Sequence, residues 1–244
     1  MTGHALPMAP LANVEFATFA GEVTRIVENQ ETIATAKITA NLQEQDVLEE
    51  MIEDSKPGKL DPQLHYLVTT AFRYPPLRHG SRFGTQFEPS LMYASLELET
   101  CLQEFAFYRF MFCFDMEQPP PKSIAAPHTV FSLHLNGCSC VDLRSPEYGD
   151  LKAEIRSPQS YTLTHQIGRQ LRNHGADMLV FDSARGPGSN VGLFNESAIA
   201  GGPHNAYPCN SEVNSQRVFL RSCKGLFHFA VEQFSDSRGR FQRV

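Results

Sequence analysis

The sequence predicts an α+β fold, and three observations carry that expectation. Helical and extended apolar periodicities follow one another without a regular strand–helix–strand repeat. The pair Asn136-Gly137 sits between alternating apolar residues, a pattern that favours a hairpin over a crossover. The C-terminal runs QRVFLRS and GLFHFAVEQF read as closing strands.

Taken in order, Ile26, Val27, Ile33, Ile38, Leu42, Leu48 and Ile52 recur at mostly helical spacing among Glu and Gln. The segment from about Val23 to Ser55 is therefore expected to be an amphipathic extension of one or two helices. Folding back on its own domain is favoured over a docking or dimerisation surface. Pro57, Gly58 and Pro62 in SKPGKLDP then mark a hinge. The chain divides on this reading into a helical N-terminal extension, residues 1–62, and a main domain, residues 63–244.

Within the main domain, LHYLVTTAFRYPP has an extended character and stops at Pro75-Pro76. LMYAS reads as a short strand. Ser95 is placed to cap a helix that opens with Glu97 and Glu99, where the helix dipole favours acidic groups, and runs through LELETCLQEFAFYRFMF. TVFSLHLNGCSCVDL is the predicted hairpin. Leu163, Ile167 and Leu171 mark a helix, and Gly175 marks its end. ADMLVFDSARGPGSN is a buried strand that enters a Gly/Pro loop.

Composition narrows the function classes. The chain has 244 residues, 41% of them apolar, and a net charge of −6. A substantial core is affordable, and a broad basic face for a phosphate backbone is not expected. Hence no direct nucleic-acid binding is predicted, although a few arginines could hold a small anion. No apolar run reaches the length of a membrane span, and the N-terminus makes a poor signal peptide, so a cytoplasmic location is expected. The 6 cysteines follow no C-x-x-C spacing; Cys138 and Cys140 read as neighbours on a strand, and no metal site is expected. Reduced thiols suit this pattern. His65 and His79, two of 9 histidines, give a weak ribonuclease reading.

Three places carry candidate chemistry. Arg82 lies between Gly80 and Gly84. Tyr93 and Glu104 span a strand–helix junction, and Ser183 with Arg185 follows a strand. Glu104 stands between Leu102 and Phe105, and a carboxylate in apolar surroundings needs a partner or a shifted pKa. Glu97 is its rival, although dipole compensation explains Glu97 adequately.

Together, Arg73, Ser81-Arg82-Phe83, Tyr93-Ala94-Ser95, Glu104 and GADMLVFDSAR around Ser183 resemble the RES domain family, from roughly Leu64 to the C-terminus. That family is named for an Arg, a Glu and a Ser, and includes toxins of bacterial toxin–antitoxin pairs. The resemblance implies an ADP-ribosyltransferase-like mixed sheet core and breakdown of NAD⁺, which serves as substrate with no prosthetic group. Phosphate is the implied co-substrate, giving nicotinamide and ADP-ribose 1″-phosphate. An NAD⁺ glycohydrolase and a protein ADP-ribosyltransferase are the enzymatic alternatives. A non-catalytic binding module acting through the Ile26/Ile33 face is the other class.

The resemblance assigns Glu104 to the ribose hydroxyl, where a carboxylate gains as an oxocarbenium-like charge develops. Arg82 would hold the pyrophosphate bidentately, with Arg73 a second candidate and Arg185 and Asn190 weaker ones. Gly80 and Gly84 would let that backbone approach the ligand. Tyr93 would border the nicotinamide, and Ser183 would orient Glu104 or contact the ribose. A helix-turn-helix antitoxin is the implied partner, and a homodimer stays open.

Overall fold

The structure, a computed structural model, describes residues 11–29, 39–55, 64–74, 76, 78–118 and 122–243. The expected hinge at Pro57, Gly58 and Pro62, and the apolar positions Ile33 and Ile38, lie outside them.

Among the described residues eight strands form one sheet: β1 (Ala17–Glu28), β2 (Met92–Ser95), β3 (Ile124–Asp142), β4 (Met178–Asp182), β5 (Ser189–Leu193), β6 (His204–Val213), β7 (Arg217–Ser222) and β8 (Gly225–Ala230). Their order is β1-β2-β5-β4-β3-β6-β7-β8, and β1 also pairs with β3. The first five strands therefore close into a ring, from which β6, β7 and β8 continue as an antiparallel wing. Five α-helices among the described residues accompany the sheet: α1 (Leu42–Ser55), α2 (Tyr66–Arg73), α3 (Leu98–Phe114), α4 (Lys152–Ile155) and α5 (Thr162–Asn173). Among these described strands only β3 and β4 pair in parallel, and the chain between them carries α4 and α5. This is the α+β architecture that the sequence predicts.

Three of the predicted elements are corrected. The Val23–Glu28 part of the expected helical extension is a strand, paired along its length with β3. Its run Val23-Thr24-Arg25-Ile26-Val27 is mostly β-branched, and the long register with β3 outweighs the helical spacing of its apolar residues. The helical expectation holds for α1, whose Leu42, Val47, Met51 and Ile52 are exposed rather than folded onto the domain. The stretch read as extended before Pro75 is helix α2. His65 caps it, Nδ1 accepting from the Leu67 amide at 3.3 Å, and Leu67 and Val68 pack into the core inside the ring.

The third correction removes the hairpin. Asn136 and Gly137 lie within the continuous strand β3, opposite Ala20 and Phe19. A Cβ at Gly137 would stand 2.8 Å from Met178 Sδ, so close packing explains that glycine and a turn does not. A register shift of β1 against β3 falls beside it, and Cys138 is exposed while Cys140 is buried. All 6 cysteines are free.

The core has three parts. One fills the ring with Val23, Met92, Phe131, Leu133, Met178 and Val191. A second lies under α5, with Ile167 and Leu171 against Leu179, Phe181 and Phe83. The third joins α3 to the wing through Phe107, Phe110, Val218 and Leu220. Phe107 and Phe110 have no exposed surface, and burying each contributes about 1.5–3 kcal/mol. Helix α3 is buried on most sides, so its one inward-facing carboxylate, Glu104, must be accommodated by the sheet.

Candidate active site

Strands β2, β5 and β4 are neighbours, and their registers bring three polar side chains to one end of the sheet. Ser95 opposes Asn190, and Asn190 opposes Phe181, two residues before Ser183. The Ser183 amide donates to the Gly188 carbonyl at 3.0 Å, which closes the loop after β4. Ser183 is fully buried, and Ser95 and Asn190 are nearly so.

These groups hold Glu104. Ser183 Oγ donates to its Oε1 at 2.6 Å, and Asn190 Nδ2 donates to the same oxygen at 2.8 Å. Ser95 Oγ donates to Asn190 Oδ1 at 2.6 Å and fixes the amide's orientation. The Arg185 amide donates to Ser183 Oγ at 3.0 Å, so that hydroxyl's proton is directed to Glu104. Among the described residues no hydrogen bond engages Oε2. The carboxylate is thus oriented through one oxygen. Ser95 serves this network instead of capping α3; the N-cap is Glu97. Glu97 Oε2 accepts from Thr100 Oγ1 at 3.1 Å and from the Ser189 amide at 3.0 Å, which ties the helix start to β5.

Glu104 opens onto a cavity of about 540 Å³, whose wall includes Arg25, Arg82, Tyr93, Tyr108 and Asn190. That volume lies in the range of small-molecule sites. Arg82 is buried. Its Nη1 donates to the carbonyls of Ile155 at 3.0 Å and Ser157 at 2.9 Å, and its guanidinium stacks on Tyr161 at 4.7 Å. One nitrogen is therefore spent on holding the turn after α4.

The loop around Arg82 is pinned on two sides. Tyr93 Oη bonds Ser81 Oγ and accepts from the Phe83 amide, both at 2.9 Å. His165 Nε2 on α5 bonds the Ser81 carbonyl at 2.7 Å. Gly80 takes φ +71° and Ser81 bridges Gly84, so these glycines close a tight turn. A Cβ at Gly168 would fall 1.9 Å from the Phe83 carbonyl oxygen, so α5 approaches the loop only because it carries glycine there. Burial pushes the Tyr93 hydroxyl up to about 12, so it is a neutral hydrogen-bonding group at physiological pH. Its ring meets Phe181 edge-on at 6.4 Å.

The remaining candidates divide. Ser183 supports Glu104 from behind and does not form part of the cavity wall. Arg73 ends α2, and the wall takes its neighbours Ala71 and Tyr74 instead. Arg185 stacks on Phe107 at 3.5 Å and donates to the Pro158 carbonyl at 2.9 Å, also away from the wall. His79 is in the wall, whereas His65 caps α2.

Sequence reasoning missed Arg25. It lies on β1, its Nη1 donates to the Tyr93 carbonyl, and its buried Nε has no partner among the described residues. Burial lowers its pKa to about 10, which leaves it charged at neutral pH. Its signal was an arginine inside a β-branched run. Cys101 also lines the cavity, but burial raises its thiol to about 12, so it is not a ready nucleophile.

Fold and site together define an α+β domain with a ligand-sized cavity built around an oriented carboxylate and a buried arginine. The chain belongs to the RES domain family, whose model matches residues 57–210. Among solved structures it is similar to a chain in "Crystal structure of the M.tuberculosis MbcT-MbcA toxin-antitoxin complex". The TM-score is 0.45 and the identity 7%, over 82% of this chain and 87% of that one. No curated protein matches. The wall residues Arg25 and Ile26 precede the matched residues. No described helix is long and apolar enough to cross a membrane.

Proposed function

We propose that this chain is a toxin of a toxin–antitoxin pair that cleaves the nicotinamide–ribose bond of NAD⁺, with phosphate as the acceptor. The observation that carries the proposal is Glu104, oriented through Oε1 by Ser183 and Asn190 and lining the cavity. A fixed carboxylate stabilises positive charge as it grows on the ribose, and its site does not have to reorganise at that moment. Arg25 and Arg82 supply cationic charge in the same wall, suited to a pyrophosphate. Aromatic faces at Tyr93, Tyr108 and Phe181 suit a flat ring. The proposed partner is an antitoxin of helix-turn-helix type that would cover the cavity mouth; membership of the RES domain family supports a toxin–antitoxin setting.

Incubating the purified chain with NAD⁺, with and without phosphate, and separating the products tests the reading. Nicotinamide and ADP-ribose 1″-phosphate are expected, the latter only when phosphate is present. Free ADP-ribose under both conditions would identify a glycohydrolase. Label transferred to protein would identify an ADP-ribosyltransferase. No nicotinamide release from folded protein would remove NAD⁺ chemistry altogether.

A further inference from the structure

Away from the cavity, three adjacent strands gather Glu22, His134 and His204, and we infer that these three side chains form a binding site for a divalent transition-metal cation. One ligand atom from each lies within 4.8 Å of the other two. Glu22 opposes His134 across β1 and β3, and His204 opposes Ser132 across β6 and β3. Residues directly opposite in antiparallel strands share a face, as do alternate residues of one strand, so all three project from the same side of the sheet.

A backbone irregularity puts His204 there. Tyr207 pairs with Val130 but His204 pairs with Ser132, so β6 carries one extra residue across this interval. Without that bulge Asn205 would oppose Ser132, and His204 would turn to the opposite face. The bulge holds Asn205 at φ 51°, the only non-glycine residue with positive φ among the described residues. A strained position that re-aims one imidazole beside another is a feature that a plain surface strand has no need of.

The donor set selects the cation. Two neutral imidazoles and a carboxylate suit Zn²⁺ and its first-row neighbours, whereas Mg²⁺ and Ca²⁺ prefer oxygen alone. His204 Nε2 lies 2.9 Å from Glu22 Oε2, and the two imidazoles stack with centroids 4.3 Å apart and planes at 20°. Small rotations of these part-exposed side chains would bring the donors to the roughly 2.0–2.2 Å that zinc requires. Three protein donors leave a further position for water. None of the three residues lines the cavity around Glu104.

The test is a Co²⁺ titration of the full chain carrying Cys138→Ser and Cys223→Ser, which removes the two exposed thiols. Visible absorption and calorimetry follow binding. One equivalent is expected, with a four- or five-coordinate absorption band that Zn²⁺ displaces. His134→Ala, His204→Ala and Glu22→Gln should each weaken binding by roughly tenfold or more, with NAD⁺ turnover unchanged. Absence of a stoichiometric band overturns the site, and so does a band that persists in the His134→Ala/His204→Ala double variant. Both readouts are independent of the NAD⁺ reading, so either proposal can fail alone.

Discussion

Ser183 and Glu104, 79 positions apart in the chain, meet through a 2.6 Å hydrogen bond in which the hydroxyl donates to the carboxylate. The Arg185 amide fills the acceptor side of that hydroxyl, so its rotor has one productive orientation. In Ser183→Ala, Glu104 keeps Asn190 but loses its shortest tether. A hydrogen bond to a charged group contributes about 1.5–3 kcal/mol. The expected outcome is a roughly ten- to hundredfold fall in kcat/KM for nicotinamide release. Steady-state kinetics checks it, with a thermal melt to show that the variant stays folded.

Glu104→Gln replaces Oε1 with an amide oxygen that can still accept from Ser183 and Asn190. Stability should therefore change little. The charge that the proposed mechanism sets against the ribose is gone, and a loss of about 10²–10³ in kcat is expected, as for other groups that act on developing transition-state charge. Single-turnover kinetics separates this from weakened binding. Retention of more than a tenth of wild-type kcat would relieve Glu104 of its assigned role.

Gly168→Ala places a methyl group 1.9 Å from the Phe83 carbonyl oxygen, against backbone that cannot give way cheaply. Overpacking of this kind costs about 1–3 kcal/mol. Helix α5 should shift away from the Arg82 loop, lowering both Tm and NAD⁺ turnover. Gly149→Ala is the matched control, since a Cβ there meets nothing within 4 Å. Urea unfolding of the two variants side by side gives the comparison.

Stability should fall as pH rises above about 9. Burial raises the Cys101 and Cys140 thiols to about 12 from an ordinary value of 9.0. Above pH 9 the unfolded chain releases these protons while the folded chain retains them. The unfolded state then binds fewer protons, and ΔG of unfolding declines with pH, by up to about 1.4 kcal/mol per pH unit for each fully shifted group. Equilibrium unfolding between pH 8 and 10 measures the slope. Cys101→Ala should flatten it whatever that variant's offset at neutral pH, and an unchanged slope would contradict the assignment.

Elements whose local pattern and packing agree were legible. Leu163, Ile167 and Leu171 form one helical face and pack on the sheet, and Gly175 ends the helix at φ +77°. MLVFD is a buried strand, and α3 runs to Phe114 as its apolar density suggests. Elements decided by partners distant in sequence were misread. Val23–Glu28 has near-helical apolar spacing but lies against β3, and Asn136-Gly137 has turn chemistry yet continues a strand because β1 pairs with both residues. Leu67 and Val68 form a helix because its buried face closes the core inside the ring.

The site was legible in the same uneven way. Glu104 announced itself as a carboxylate among apolar neighbours, and resemblance to the family joined it to Arg82, Tyr93 and Ser183. The roles of Arg25 and Ser95 were not legible, although the arginine stood out in a β-branched run, because those roles arise only when β1 and β2 meet β5 and α3.

The sequence alone determined the α+β class, helices α3 and α5, the family and the lone carboxylate, because each depends on residue type and short-range spacing. Tertiary structure alone decided that β1 closes a ring, that Arg25 joins Arg82 in one wall, and that Ser183 and Asn190 share one oxygen of Glu104. Those outcomes rest on strand register across long chain separations. There, hydrogen-bond ladders and core packing between remote segments override local preference.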